Sequence, residues 1–332
     1  MRRTWSAGIV VVLALVALQA LLVPLFAGPA SHLAPRDLPI AVAGPPPAAN
    51  GLAHQLQADR PGAFDVTVVA DETAADAAIR NREVYGAIVL GATGAQLHVA
   101  SAASPTVATL LTQAASGIGG AGQTVTVRDV VPTDPDDPRG AGFGAAFLPL
   151  AVTGLLAGVL IFLLVPGRGA RVTMLITFAV LAGLAGAAVQ QYWLGILPGD
   201  YLAVAGVLGL VALAIAGTFA GLGALLGRAG LALGAAVVFL VGNALSGVAA
   251  APELLPQPWG EVGQALPIGA GATLLRSVAY FDGNGGRSAL IVLAAYAAGG
   301  LLLAAAGSRG LRRNRADAAP VHTNRPETVP AA

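Results

Sequence analysis

Residues 143–165 read FGAAFLPLAVTGLLAGVLIFLLV. No charge interrupts them. An apolar run of about 18 residues or more is long enough to cross the hydrocarbon core of a bilayer. The pattern continues outward from there. Four further uncharged segments follow, at residues 172–192, 201–226, 231–250 and 288–306, and a sixth lies alone at 5–27. The joints at 166–171, 193–200 and 227–230 are short, which forces consecutive segments to run antiparallel. The sequence therefore predicts an α-helical polytopic membrane protein with six transmembrane helices.

The composition agrees. Hydrophobic residues make up 56% of the chain and charged residues 11%, against about 25% charged in ordinary soluble domains. Cysteine is absent, so there is no disulfide framework, thiol nucleophile or thiolate metal site. Lysine is absent too. All 18 basic residues are arginine, so the chain cannot form a Walker A loop, whose lysine reaches the nucleotide phosphates. The lysine-free, Ala- and Gly-rich composition suggests a GC-rich bacterial genome.

Charge placement predicts the topology, because arginine near helix ends is retained in the cytoplasm. Arg2 and Arg3 precede the first helix, Arg168 and Arg171 separate the second and third, and Arg228 separates the fourth and fifth. Arg309, Arg312, Arg313 and Arg315 follow the last. An N-in, C-in arrangement puts all of these in the cytoplasm of a multi-pass protein of the bacterial plasma membrane. It puts Asp200, Glu253, Glu261 and Asp282 outside. Residues 1–27 resemble a signal peptide, but signal apolar cores are usually only about 7–15 residues. We read them as an uncleaved anchor with Trp5 at the interface. Residues 308–332 read as a disordered cytoplasmic tail.

Residues 28–140 carry 11 acidic residues and 6 arginines, a net charge of −5, between Pro-rich ends that read as linkers. Strands are predicted at 38–43, 64–70, 85–90, 96–100 and 125–131, and helices at 48–59, 72–82 and 105–116. Such alternation argues for an extracellular α/β domain, inserted between helices one and two, with some parallel pairing. Gly117 to Gly122 match G-x-G-x-x-G by letter, but after a helix and before a strand, the reverse of the dinucleotide-binding order. We read them as a flexible connection.

Within the five-helix membrane domain at 141–307, residues 252–287 stand out. They hold Glu253, Trp259, Glu261, Pro267 and Arg276. Residues 268–281 are too short to span and too apolar for an ordinary loop, so they suit a re-entrant or interfacial hairpin. One reading is a lid over the bundle, with Arg276 paired to Glu253 or Glu261. The other is part of an outer gate. Glycines recur at four-residue spacing (154 and 158, 217 and 221, 223 and 227, 230 and 234), which permits close helix packing or a homodimer seam. The polar residues inside the helices are neutral, among them Thr153, Gln190, Thr218, Asn243 and Ser246, and read as interhelical hydrogen-bonding groups. Ion-coupled carriers usually place ionisable groups inside the membrane, and these segments carry none. The four histidines are scattered, with His98 expected at a strand surface. No catalytic, cofactor-binding or metal site is expected, and no enzyme activity.

Several stretches resemble type-2 ABC exporter permeases, in the branch related to the phage infection protein (YhgE/Pip) family. Ala75-Asp76-Ala77-Ala78-Ile79-Arg80 followed by Glu83-Val84-Tyr85-Gly86-Ala87-Ile88-Val89 is similar to that family's helix and "YGA" strand, and Ser101-Ala102-Ala103 follows suit. Pro252-Glu253-Leu254-Leu255-Pro256, Trp259, Leu266-Pro267-Ile268-Gly269, Leu275-Arg276 and Tyr280-Phe281 are similar to its outer hairpin. The resemblance implies a permease-like subunit that exports a hydrophobic or amphiphilic substrate, energised by a separate ATPase. It implies Arg168 and Arg171 as ATPase contacts, and Glu253, Trp259, Glu261, Pro267 and Arg276 as the outer gate. The alternative is a non-transporting scaffold or surface receptor whose ectodomain binds an envelope or secretion partner. The bilayer is the one partner common to both, and no nucleic acid is expected.

Overall fold

The computed structural model describes residues 2–92, 94–118 and 125–307, with side chains at 8–92, 94–115 and 125–307. The side chains of Arg2, Arg3 and Trp5, most of the Gly117–Gly122 match, and the tail with its arginines lie outside the described residues.

The α/β unit follows the predicted alternation closely. Its strands are β1 (Leu38–Ala43), β2 (Phe64–Val69), β3 (Gly86–Gly91), β4 (Gly94–Val99) and β5 (Thr126–Asp129), in the order β2-β1-β3-β4-β5. β1 pairs in parallel with β2 and β3, β4 in parallel with β5, and β3 with β4 antiparallel. The helices are α2 (Pro46–Asp59), α3 (Glu72–Arg80) and α4 (Pro105–Ile118). Asp71 caps α3 by accepting from Ala74 N at 2.8 Å, satisfying a donor the first turn leaves open. Successive strand residues face opposite ways. Ala41, Ala43, Ala87 and Val89 therefore pack on α3 through Ile79 and Ala75, while Ile40, Leu97 and Val99 pack on α4 through Val107 and Leu111. His98 is fully buried rather than on the surface.

Among the described residues, five helices are long and apolar enough to cross a membrane: α1, α5, α6, α7 and α12. They span Arg2–Ser31, Ala141–Leu164, Arg168–Ala188, Tyr201–Leu226 and Arg287–Ala306. Such a set is the architecture of a multi-pass membrane protein. The expected helix at 231–250 is shorter. It comprises α8 (Arg228–Gly234), a π-helical stretch (Ala235–Val241) and α9 (Gly242–Ala244). Gly247, with φ +64°, turns the chain in a conformation that closes helices and that only glycine adopts freely. α6 likewise ends in a π turn, Val189–Trp193.

α7 is the axis of the bundle, with α5, α6 and α12 packed around it. Small residues make that possible. A Cβ at Gly158 would strike Ala216 O, one at Gly183 would strike Ala205 O, and one at Gly300 would strike Gly217. Of the repeated glycines, Gly158, Gly221 and Gly230 meet backbone within the chain, whereas Gly154, Gly223 and Gly234 meet side chains. The neutral polar residues do not bridge helices as expected. Thr153, Gln190 and Thr218 each donate to a carbonyl one turn back in their own helix, to Pro149 O, Gly186 O and Ala214 O. α1 is the exception to the close packing: its apolar span is unburied.

The bundle has two distinct ends. At one, Val165, Arg171, Ala224 and Gly307 gather. At the other lie Gly195 beside Asp136, Gly199 beside Ala279, and the α/β unit.

Candidate functional site

The expected hairpin forms as a 3-10 turn (Pro252–Leu254), α10 (Trp259–Gln264) and α11 (Pro267–Tyr280). Pro267 opens α11, at a position where the missing N–H costs nothing, and is buried. The hairpin does more than cover the bundle: it seats the α/β unit. Phe281 is buried in the α/β core beside Ile79 and Val84. Ala250, Ala251 and Leu254 join the opposite face of that core with Leu38 and Leu97.

Hydrogen bonds fix this seam. Arg82 Nη1 donates to Thr273 O at 3.0 Å and Ser277 Oγ at 2.6 Å, both on α11. The Tyr85 hydroxyl donates to Glu253 Oε2 at 2.7 Å. Arg36 Nη1 donates to Leu254 O at 2.7 Å, and Thr106 Oγ1 to Ala249 O at 3.1 Å. Arg82 itself has φ +57°, a left-handed conformation that is uncommon outside glycine and worth a look for function. Its guanidinium lies over the Phe281 ring at 5.3 Å. Between the units remains a cavity of about 250 Å³, lined by Arg82, Tyr85, Glu253, Gln264, Thr273 and Ser288 among others.

Burial shapes the electrostatics of the seam. Desolvation lowers the Arg82 pKa, against the raising influence of Tyr85 and Glu253. Desolvation, and then the Glu253 carboxylate, pushes the Tyr85 phenol well above its ordinary value. The phenol keeps its protonated, donating form at neutral pH.

The predicted site residues separate into groups. Arg276 pairs with neither Glu253 nor Glu261. It donates to Val248 O at 2.5 Å and lies over the Phe143 ring at 4.4 Å, tying α11 to the turn after α9 and to the start of α5. Glu253 is engaged by Tyr85 instead. Trp259 and Glu261 are exposed on α10. Trp259 borders a groove of about 400 Å³ between the hairpin and α1, with Leu21, Leu25, Leu245 and Pro256. At the far end, Arg168 is exposed on the first turn of α6. Arg171 is buried, donates to Val165 O at 3.1 Å, and covers Phe162 at 5.4 Å.

No family model, curated protein or solved structure matches this chain. The site is therefore read from its own geometry. Each hydrogen-bond donor described across the seam acts on a neighbour within the chain, so the arrangement suits mechanical coupling between units. Sequence reasoning missed Arg36, Arg82, Tyr85 and Ser277. The one signal among them was Tyr85, in the quoted stretch leading into β3, since partners about 170 to 220 residues away leave no local pattern.

Proposed function

We propose that the chain is the permease-like membrane subunit of an export system for a hydrophobic or amphiphilic substrate, driven by a separate ATPase. The observation that carries this reading is the seam. The hairpin is hydrogen-bonded into the α/β unit by Arg82 and Tyr85 and rests on the central helix α7 through α11. A rearrangement of the bundle would therefore reach the α/β unit through one rigid joint. The apolar groove beside Trp259 and the polar cavity at the seam offer an amphiphile two environments at the same end of the bundle.

The proposed topology is N-in and C-in in a bacterial plasma membrane, with the α/β unit outside. Parity supports it. The hairpin touches the α/β unit, so both lie on one side. α5, α6 and α7 give three passes between them, and a fourth is needed to return. The helical stretch at 228–244 runs from Gly230 beside Leu222 to Gly242 beside Leu266, and so supplies that pass.

Of the two arginines proposed for ATPase contact, Arg171 already serves the fold, which leaves Arg168 as the surface group. Affinity purification in mild detergent with mass spectrometry tests the reading. A stoichiometric soluble ATPase is expected, with hydrolysis that changes in Arg168→Ala. Recovery with envelope or secretion components and no nucleotide-binding subunit would instead establish the scaffold or receptor reading. The exposed span of α1 and the short turn at 165–167 are the features that favour that second reading.

A further inference from the structure

The α/β unit holds a second, part-buried polar cluster, on the face away from the α2 and α4 layer. Glu72 and Asp76 stand one turn apart on α3, and His98 lies beneath them on β4. His98 Nδ1 is 2.7 Å from Asp76 Oδ1, a contact that places the ring proton on Nδ1 because the carboxylate only accepts. In the neutral ring Nε2 then carries a lone pair. It is fully buried, has no hydrogen-bond partner, and faces Glu72 Oε1 at 3.8 Å. Nε2 is the unsatisfied member of this facing pair, since Glu72 Oε1 already accepts from Arg128, and a cation shared between the two would satisfy it.

We propose that His98 Nε2 and Glu72 form a binding site for a first-row divalent cation of the Zn²⁺ class, with Asp76 as the positioning carboxylate. A histidine held at one ring nitrogen by a carboxylate and free at the other is the arrangement that orients metal-ligating imidazoles. Glu72, Asp76 and His98 each offer a ligand atom, all within 4.8 Å of one another. Zn²⁺ sits about 2.0–2.2 Å from nitrogen and oxygen donors, so the 3.8 Å gap between Nε2 and Oε1 needs only slight closure. Water completes the coordination from the open side, where the Glu72 side chain is 50% exposed.

Arg128 is the competing cation. Its Nη1 is 2.8 Å from Glu72 Oε1 and 3.3 Å from Asp76 Oδ2, and its side chain is 48% exposed. Arg80 approaches Asp76 Oδ2 at 4.0 Å. An entering metal takes Glu72 from Arg128, while Asp76 keeps both its imidazole and its guanidinium contacts. Such a metal would fasten α3 to the β4 strand beneath it.

The test is calorimetric titration of the full-length, chelator-stripped protein in detergent with ZnCl₂, carrying an affinity tag without histidine. One site per chain is expected. His98→Gln and Glu72→Gln should weaken binding at least tenfold, and Asp76→Asn by the 10- to 100-fold typical of lost outer-shell support. Arg128→Ala touches an exposed side chain and removes the competitor, so it should tighten binding. That gain cannot arise from misfolding. Absence of Zn²⁺ binding to the wild type, unchanged affinity in His98→Gln, or no tightening in Arg128→Ala would each overturn the site.

Discussion

The Tyr85–Glu253 bond is the most informative contact at the seam, because it joins two residues far apart in sequence and each is the other's side-chain partner. Tyr85→Phe keeps the ring and removes the donor. It should destabilise the assembly by about 1–3 kcal/mol, the range for leaving a polar partner unsatisfied, at this part-buried site, read as a lower melting temperature in detergent. The pH dependence has a definite sign. Burial and Glu253 raise the folded-state phenol pKa, so folding favours the protonated form. The stabilisation is complete below the ordinary tyrosine pKa of about 10 and is lost as pH climbs above it. Wild type should therefore lose stability above about pH 10 more steeply than Tyr85→Phe. Parallel melting curves would contradict the assignment. At this scale the sequence was least legible. Charge complementarity suggested Arg276 with Glu253 or Glu261, yet the backbone carbonyl of Val248 and the Phe143 ring hold it instead. A carbonyl is present at every residue, so no residue type announces that partner.

Elements were far more legible, for reasons particular residues make plain. β1 was read at its full length because LPIAVA is short and apolar, with Asp37 before it and Gly44-Pro45 after it. α7 was read equally well because 26 residues without a charge leave no other choice. The helix at 228–244 was misjudged at its end, since hydropathy continues past Gly247 while the backbone turns there. The glycine spacing was visible, but its use was not: only the packing shows which of these positions meet backbone, which meet side chains, and that Gly227 meets nothing. Two glycines on α7 separate the packing role from mere flexibility. A Cβ at Gly209 would lie 2.8 Å from Ala179 O, whereas one at Gly206 meets nothing within 4 Å. Gly209→Ala should cost about 1–3 kcal/mol by overpacking. Gly206→Ala should leave the melting temperature unchanged or slightly higher, given the helix preference for alanine. Equal effects from the two would show that α6 and α7 do not pack at this distance.

At the scale of the molecule, the arrangement is decided by which side each end of the bundle faces. The chain has no cysteine, so single cysteines can report this against a silent background. Gly169 lies on the arginine-bearing end, is exposed, and has nothing near its Cβ position. Glu261 on α10 and Glu83 before β3 are exposed at the end that carries the α/β unit. Arginine-rich ends stay in the cytoplasm, so a membrane-impermeant maleimide applied to intact cells should label Glu261→Cys and Glu83→Cys but not Gly169→Cys until the cells are opened. The joint behaviour of the first two matters most. They lie on opposite sides of the α5 to 228–244 stretch in sequence, yet the Arg82 and Tyr85 bonds bind their units together. Labelling of one without the other would mean that the 228–244 helix does not cross, which would break the seam and the coupling proposed for it. Labelling of both from outside requires four passes between them, and the 17-residue apolar helix at 228–244 is what makes the count even.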